Sequence, residues 1–248
     1  MIGVVGGVGP YAGLDLVKKI FDNSLAECDQ DYPAVIMISQ SAKIADRTAY
    51  LLGEISQNPG EGLAEVVLAL ERAGASVVGI PCNTAHAPAI FGHMRELLQR
   101  QQSKVRILHM IEETVNYITR SFPKVRRIGV LATTGTQKTR IYPEFLEKQG
   151  LQTIVPDDEI QQKVHQAIYD PEYGIKIHPV TDRARETVHQ ALAWLFEQGA
   201  EAAILGCTEL PLAVPEKEIA GHPVVDPTWI LARALLREVF PEKLKPET

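Results

Sequence analysis

The chain has 248 residues, is 45% hydrophobic and 23% charged, and carries a formal net charge of −6. This is ordinary for a globular protein and leaves room for one large domain or two of about 100–130 residues each. No basic run exceeds a few residues (Lys124-Val125-Arg126-Arg127 is the densest) and no apolar run reaches about 18, so neither a nucleic-acid partner nor a membrane span is expected.

The first apolar run, 2–5, reads as a buried strand. The N-terminus lacks a basic leader and a small-residue cleavage site, so a cytoplasmic location is expected. The glycine turn Gly6-Gly7-Val8-Gly9-Pro10 follows, then a helix over 13–25. The turn fits the loose dinucleotide pattern. The second strand, 34–38, ends in Ser39-Gln40-Ser41 with no acid for a ribose, so no cofactor is expected, and Pro10 reads equally as a first helical residue. Helices are then predicted over 60–73, 87–99, 111–121, 139–149, 158–169, 181–198 and 228–239. Strands are predicted over 77–80, 107–109, 128–131, 153–155, 202–205 and 224–226. Strand followed by helix, repeated, with strands nearly continuous in apolar residues, predicts an α/β fold with mostly parallel sheets flanked by helices.

A weak internal repeat divides the pattern. Gly6 precedes Cys82 by 76 positions, and Ala132 precedes Cys207 by 75. The expected organisation is two pseudo-symmetric lobes. Lobe one would be 1–102 plus 223–248, lobe two 103–222, with the crossing at 101–103 and a site in a cleft between them.

The two cysteines carry the chemistry. They lie in Ile80-Pro81-Cys82-Asn83-Thr84-Ala85-His86 and Leu205-Gly206-Cys207-Thr208-Glu209-Leu210-Pro211. Each ends an apolar strand and precedes a Thr-containing turn. In parallel α/β lobes that is the ligand-facing end. A following helix N-terminus would lower the thiol pKa, and its N–H groups would bind a carboxylate. One buried cysteine alone reads better as structural. Two in matching frames suit a racemase without cofactor, because inverting a carbon needs a base on one face and an acid on the other. Such a pair titrates as a coupled unit. With three cysteines, an odd count, free thiols are expected, and Cys28 reads as structural or surface. His86, four residues after Cys82, lacks a second cluster for metal ligation and reads as a residue near Cys82 that tunes its charge.

These motifs, with Asp46-Arg47-Thr48 and Leu131-Ala132-Thr133-Thr134-Gly135-Thr136, span nearly the whole chain. In that order they resemble the aspartate/glutamate racemase family, which works without pyridoxal phosphate. Glu209 in the second box resembles the aspartate branch, where glutamate racemases of the cell-wall type have His; Val8 stands where Met is commoner. The resemblance implies two α/β lobes, catalytic Cys82 and Cys207, an acidic amino acid as substrate and a homodimer. It gives Arg47 the substrate's side-chain carboxylate, which a guanidinium fork fits. A second cation in this family falls near Lys176, with Lys163 as the rival. Gly9, Asn83, Thr84, Thr134 and Thr208 are the remaining candidate substrate contacts. For Asn83, Thr84 and Thr208 helix capping is the plainer alternative, and for Thr133, Thr134 and Thr136 turn chemistry. By residues alone, Arg47 reads equally as a surface partner of Asp46. Rival functions are a hydantoin racemase, a maleate isomerase, a decarboxylase, or a non-catalytic binder of acidic amino acids.

Overall fold

The structure, a computed structural model, describes residues 1–176 and 180–247. It divides into two compact units, Met1–Glu113 with Thr228–Thr248, and Thr114–Pro227. Among the described residues no helix is long and apolar enough to cross a membrane.

The first unit runs β1 (Ile2–Gly6), α1 (Pro10–Asp22), β2 (Val35–Ser39), α2 (Arg47–Leu51), α3 (Pro59–Arg72), β3 (Val77–Gly79), α4 (Pro88–Arg100) and β4 (Arg106–Ile107). Its four strands are parallel in the order β2-β1-β3-β4. Period-2 alternation splits β1 between two cores. Ile2 and Val4 pack with Leu16 and Ile20 of α1, while Val5 packs with Leu63, Val67 and Leu70 of α3. In α1, Ala12, Leu16 and Ile20 recur every four residues and form its buried stripe. Asn58 starts α3 by accepting the Gly60 N–H at 2.9 Å, with Pro59 at the first helical position. Pro81 has no N–H to offer a ladder, and β3 stops two residues before it.

The limit between units falls inside α5 (Met110–Ser121). The second unit continues with β5 (Arg127–Ala132), α6 (Thr134–Lys138), α7 (Ile141–Lys148), β6 (Gln152–Ile154), α8 (Asp158–Tyr169), α9 (Asp182–Glu197), β7 (Ala202–Gly206), α10 (Leu210–Ala213), β8 (Glu218–Ile219) and β9 (His222–Val225). The sheet order is β6-β5-β7-β9-β8, parallel except for β8, which pairs antiparallel to β9. Leu131, Val164, Ile168, Val188, Leu192 and Leu205 share its core. The chain then returns to the first unit as α11 (Pro227–Val239), whose Leu231 and Leu235 complete the Ile2/Val4 core.

The α/β class, the flanking helices and the mostly parallel sheets agree with the sequence. The unit limits differ from the expected ones. β4 pairs with β3, so the chain stays in the first unit past residue 103; β9 pairs with β7, so residues 223–225 remain in the second. The repeat has a topological counterpart: β2-β1-β3-β4 and β6-β5-β7-β9 follow one parallel order, with Cys82 after β3 and Cys207 after β7.

Candidate active site

In the second unit, Ala132 pairs with Gly206 as β5 and β7 end together, and Cys207 is the next residue. Its thiol is buried and donates to Oε2 of Glu209 across 3.0 Å. The Thr208 hydroxyl donates to the same oxygen at 3.3 Å. The other oxygen, Oε1, takes the Lys176 ammonium at 2.5 Å. Lys176 also lies 5.2 Å from the Tyr169 ring centroid. Tyr169 stacks on His165, and His165 Nδ1 is 3.2 Å from the Thr134 hydroxyl. Gln161 of the same helix donates from Nε2 to the Ala132 carbonyl at 2.9 Å. Gln161, His165 and Tyr169 are spaced four apart, so one face of α8 lies along the end of β5.

The charges follow from burial. Burial pushes the Cys207 thiol well above its ordinary pKa, and the Glu209 carboxylate adds to this against Lys176. Burial opposes the Lys176 charge, yet Glu209, Cys207 and Tyr169 together hold it above the usual lysine range. The expected lowering of this thiol by a helix N-terminus is therefore overturned. The helix that follows, α10, has four residues, and a carboxylate sits beside the sulfur.

In the first unit, Cys82 is buried past the end of β3, and its N–H bonds back to the Ile80 carbonyl at 2.8 Å. Asn83 and Thr84 are buried with it. A 3-10 turn, Thr84–His86, follows, and α4 starts only at Pro88. Asn83, which precedes the turn, makes no side-chain cap bond there. Thr133 does cap α6, accepting the Thr136 N–H. His86 is buried, with Nδ1 2.8 Å from the Cys82 carbonyl oxygen and stacked on Phe91. Burial, then His109, lowers its pKa to about 3. It is neutral near pH 7, and the charge-tuning role expected for it does not hold.

Arg47 is the first residue of α2 and half-buried, with Nη1 3.3 Å from the Ala45 carbonyl. The Asp46 carboxylate caps the same helix on Ala49 N–H at 2.8 Å. The helix α2 packs on the Thr84–His86 turn, which brings Arg47's helix to the Cys82 loop. Gly9 stands before α1 with φ 120°, and Gly7 has φ 84°. Lys163, the rival cation, is exposed and pairs with Glu159 at 2.7 Å. Cys28 is exposed, beyond the end of α1.

Sequence reasoning missed Glu209 as a partner of Cys207 and missed His165 and Tyr169. The spacing 161, 165, 169 was the available signal. Among the described residues no group of three or more His, Cys, Asp or Glu could hold a metal.

Residues 5–235 match the family model described as Asp/Glu/Hydantoin racemase. The broad specificity amino-acid racemase RacX of Bacillus subtilis is 28% identical over 239 residues, 94% of this chain and 96% of that protein. A glutamate racemase of Pseudomonas aeruginosa is 27% identical over 236 residues, covering 93% of this chain and 78% of its own. Among solved structures, the Picrophilus torridus aspartate racemase superposes with a TM-score of 0.79 at 26% identity, over 96% of this chain and 93% of that one.

Proposed function

The chain belongs to the Asp/Glu/hydantoin racemase family, and on that premise we propose that it interconverts the enantiomers of an acidic amino acid, aspartate first and glutamate second, without a cofactor. In this reading Cys82 and Cys207 are the two acid/base groups, on opposite faces of the α-carbon. One thiolate removes the α-proton, and the thiol on the other side gives its proton to the carbon. After turnover the first sulfur is a thiol and the second a thiolate, so the roles exchange with direction. Arg47 and Lys176 bind the side-chain carboxylate, while Gly9, Asn83, Thr84, Thr134 and Thr208 hold the α-carboxylate and amine. The enzyme would act in the cytoplasm as a homodimer.

One observation carries the reading: two buried thiols stand past the carboxyl ends of corresponding strands, β3 in the parallel set β2-β1-β3-β4 and β7 in the parallel set β6-β5-β7-β9. The test is α-proton exchange in deuterated water from each enantiomer of aspartate. Cys82→Ser and Cys207→Ser should each abolish or severely slow racemisation; full activity in either ends the two-base mechanism. Sedimentation at assay concentration tests the dimer.

A second reading, wider side-chain tolerance, draws on the Lys176–Glu209 pair, because the charge of this lysine is already balanced. A substrate panel with chiral chromatography separates the two. Turnover of neutral amino acids at rates near aspartate favours the second.

A further inference from the structure

The two thiols are not equivalent. Two residues after Cys207 stands Glu209; two after Cys82 stands Thr84, which carries no charge. The Glu209 side chain is 4% exposed and accepts three donors, the Cys207 thiol, the Thr208 hydroxyl and the Lys176 ammonium. A buried carboxylate with a lysine at one oxygen and two donors at the other is ionised. A sulfur 3.0 Å from such an oxygen must supply the hydrogen between them; a thiolate there would set two negative charges in contact.

We propose that Glu209 is a positioning residue that keeps Cys207 in the thiol form, so that Cys207 is the proton donor of the resting enzyme and Cys82 its base. The assignment rests on the reading of Cys82 and Cys207 as an acid/base pair. It adds a direction: the first enantiomer to react is the one whose α-hydrogen faces Cys82.

Lys176 is the counterweight. It reaches the same carboxylate from the segment after α8 and keeps the ionised form in place. Among the described residues, the further ionisable groups near this centre are Tyr142, Asp226, Tyr169 and, stacked on Tyr169, His165. Tyr142 of α7 is fully buried; burial raises its pKa well above the ordinary value against the Thr114 hydrogen bond, with Asp226 and Cys207 adding to the rise. Tyr169 lies beyond Lys176. Tyr142 is neutral near pH 7, and the charged groups that act on Cys207 directly are Glu209 and Lys176.

Site-resolved alkylation of the full chain by iodoacetamide tests this without turnover. Only the thiolate reacts, so a one-unit change in thiol pKa alters the rate about ten-fold. Cys28, exposed, is the internal standard. Glu209→Gln keeps the shape and removes the charge; it should speed Cys207 labelling about ten-fold at neutral pH and lower the midpoint of its pH profile. Lys176→Gln removes the cation; it should slow labelling and raise the midpoint. Circular dichroism on the same samples establishes the fold. Unfolding can only accelerate labelling, so a slowed Lys176→Gln variant cannot come from fold loss. Folded Glu209→Gln with wild-type labelling, or folded Lys176→Gln with faster labelling, overturns the assignment. Inactive Cys207→Ser together with unchanged labelling in Glu209→Gln removes the assignment alone. Active Cys207→Ser removes the two-base reading and, with it, Cys207 as proton donor, whatever Glu209 does to the labelling.

Discussion

His86 Nδ1 lies 2.8 Å from the carbonyl oxygen of Cys82. A carbonyl only accepts, so Nδ1 carries the hydrogen and the ring is the neutral Nδ1–H tautomer. The backbone on which the Cys82 thiol rides is thus tied to a ring that forms a three-ring cluster with Phe91 and His109.

The tie carries a pH signature. Burial lowers His86 from 6.5 to about 3 and, again as the first cause, His109 to about 4. Above 6.5 neither folded nor unfolded rings bind protons, and stability is full. As pH falls, the unfolded chain takes up protons that the folded one refuses, and stability drops until the folded values are passed. At about 1.4 kcal/mol per unit, the loss amounts to several kcal/mol. Urea midpoints measured from neutral to acid pH should fall more steeply for wild type than for His86→Phe. Equal slopes would place the titration elsewhere.

Two lysines near α8 should differ in stability. Lys176 pairs with Glu209, whose side chain is 4% exposed; Lys163 pairs with Glu159 in open solvent. Lys176→Met strands a buried carboxylate and should cost about 3 kcal/mol, the low end for a buried pair because part of Lys176 meets water. Lys163→Met should cost about 0.5 kcal/mol or less. Chemical denaturation reads both.

Gly7 and Gly53 share a left-handed backbone, at φ 84° and 77°. A Cβ on Gly7 would come 2.7 Å from the Ser41 nitrogen, whereas one on Gly53 would meet nothing within 4 Å. Gly53→Ala should cost only the conformational penalty, about 1 kcal/mol. Gly7→Ala adds a clash with backbone and should cost about 3 kcal/mol. Thermal melts of the two variants make the comparison.

Arg47 supplies a test of substrate charge. Arg47→Lys keeps the cation and loses the planar fork. For aspartate, KM should rise about ten-fold with kcat less affected, the value of one charge-assisted hydrogen bond. A KM unchanged for aspartate would remove Arg47 from the side-chain contact.

The alternation of apolar runs and amphipathic stretches made eight of the nine strands among the described residues legible, most clearly the central β1, β3, β5 and β7, which are buried along nearly their whole length. The ninth, β8, has two residues and no pattern to read. The predicted helix 139–149 is in fact α7, preceded by α6. The break is at Arg140, held at φ 52°, with no glycine or proline at that position to mark it. At the site, the cysteine echo was legible since both strands end in the same way. Lys176 could not be told from Lys163 by spacing, since only the course of the chain after Tyr169 decides which one meets Glu209. Glu209 itself was visible as a residue type, but its contact with Cys207 depends on a side chain folding back over two residues.

The split of the first unit across the chain has a consequence for biosynthesis. Leu231 and Leu235 of α11 fill one face of its sheet, with Leu235 set so close to Gly79 that a Cβ there would lie 2.7 Å away. During translation residues 1–113 are made first, yet that face has α1 but not α11 as cover until residue 235 has been added. Val225, which ends the last of the five strands found in the second sheet among the described residues, is added ten residues earlier, 235 − 225. The segment made second can therefore be completed before the segment made first, and until α11 arrives the nascent first unit exposes the part of the β1 and β3 face that α1 leaves uncovered.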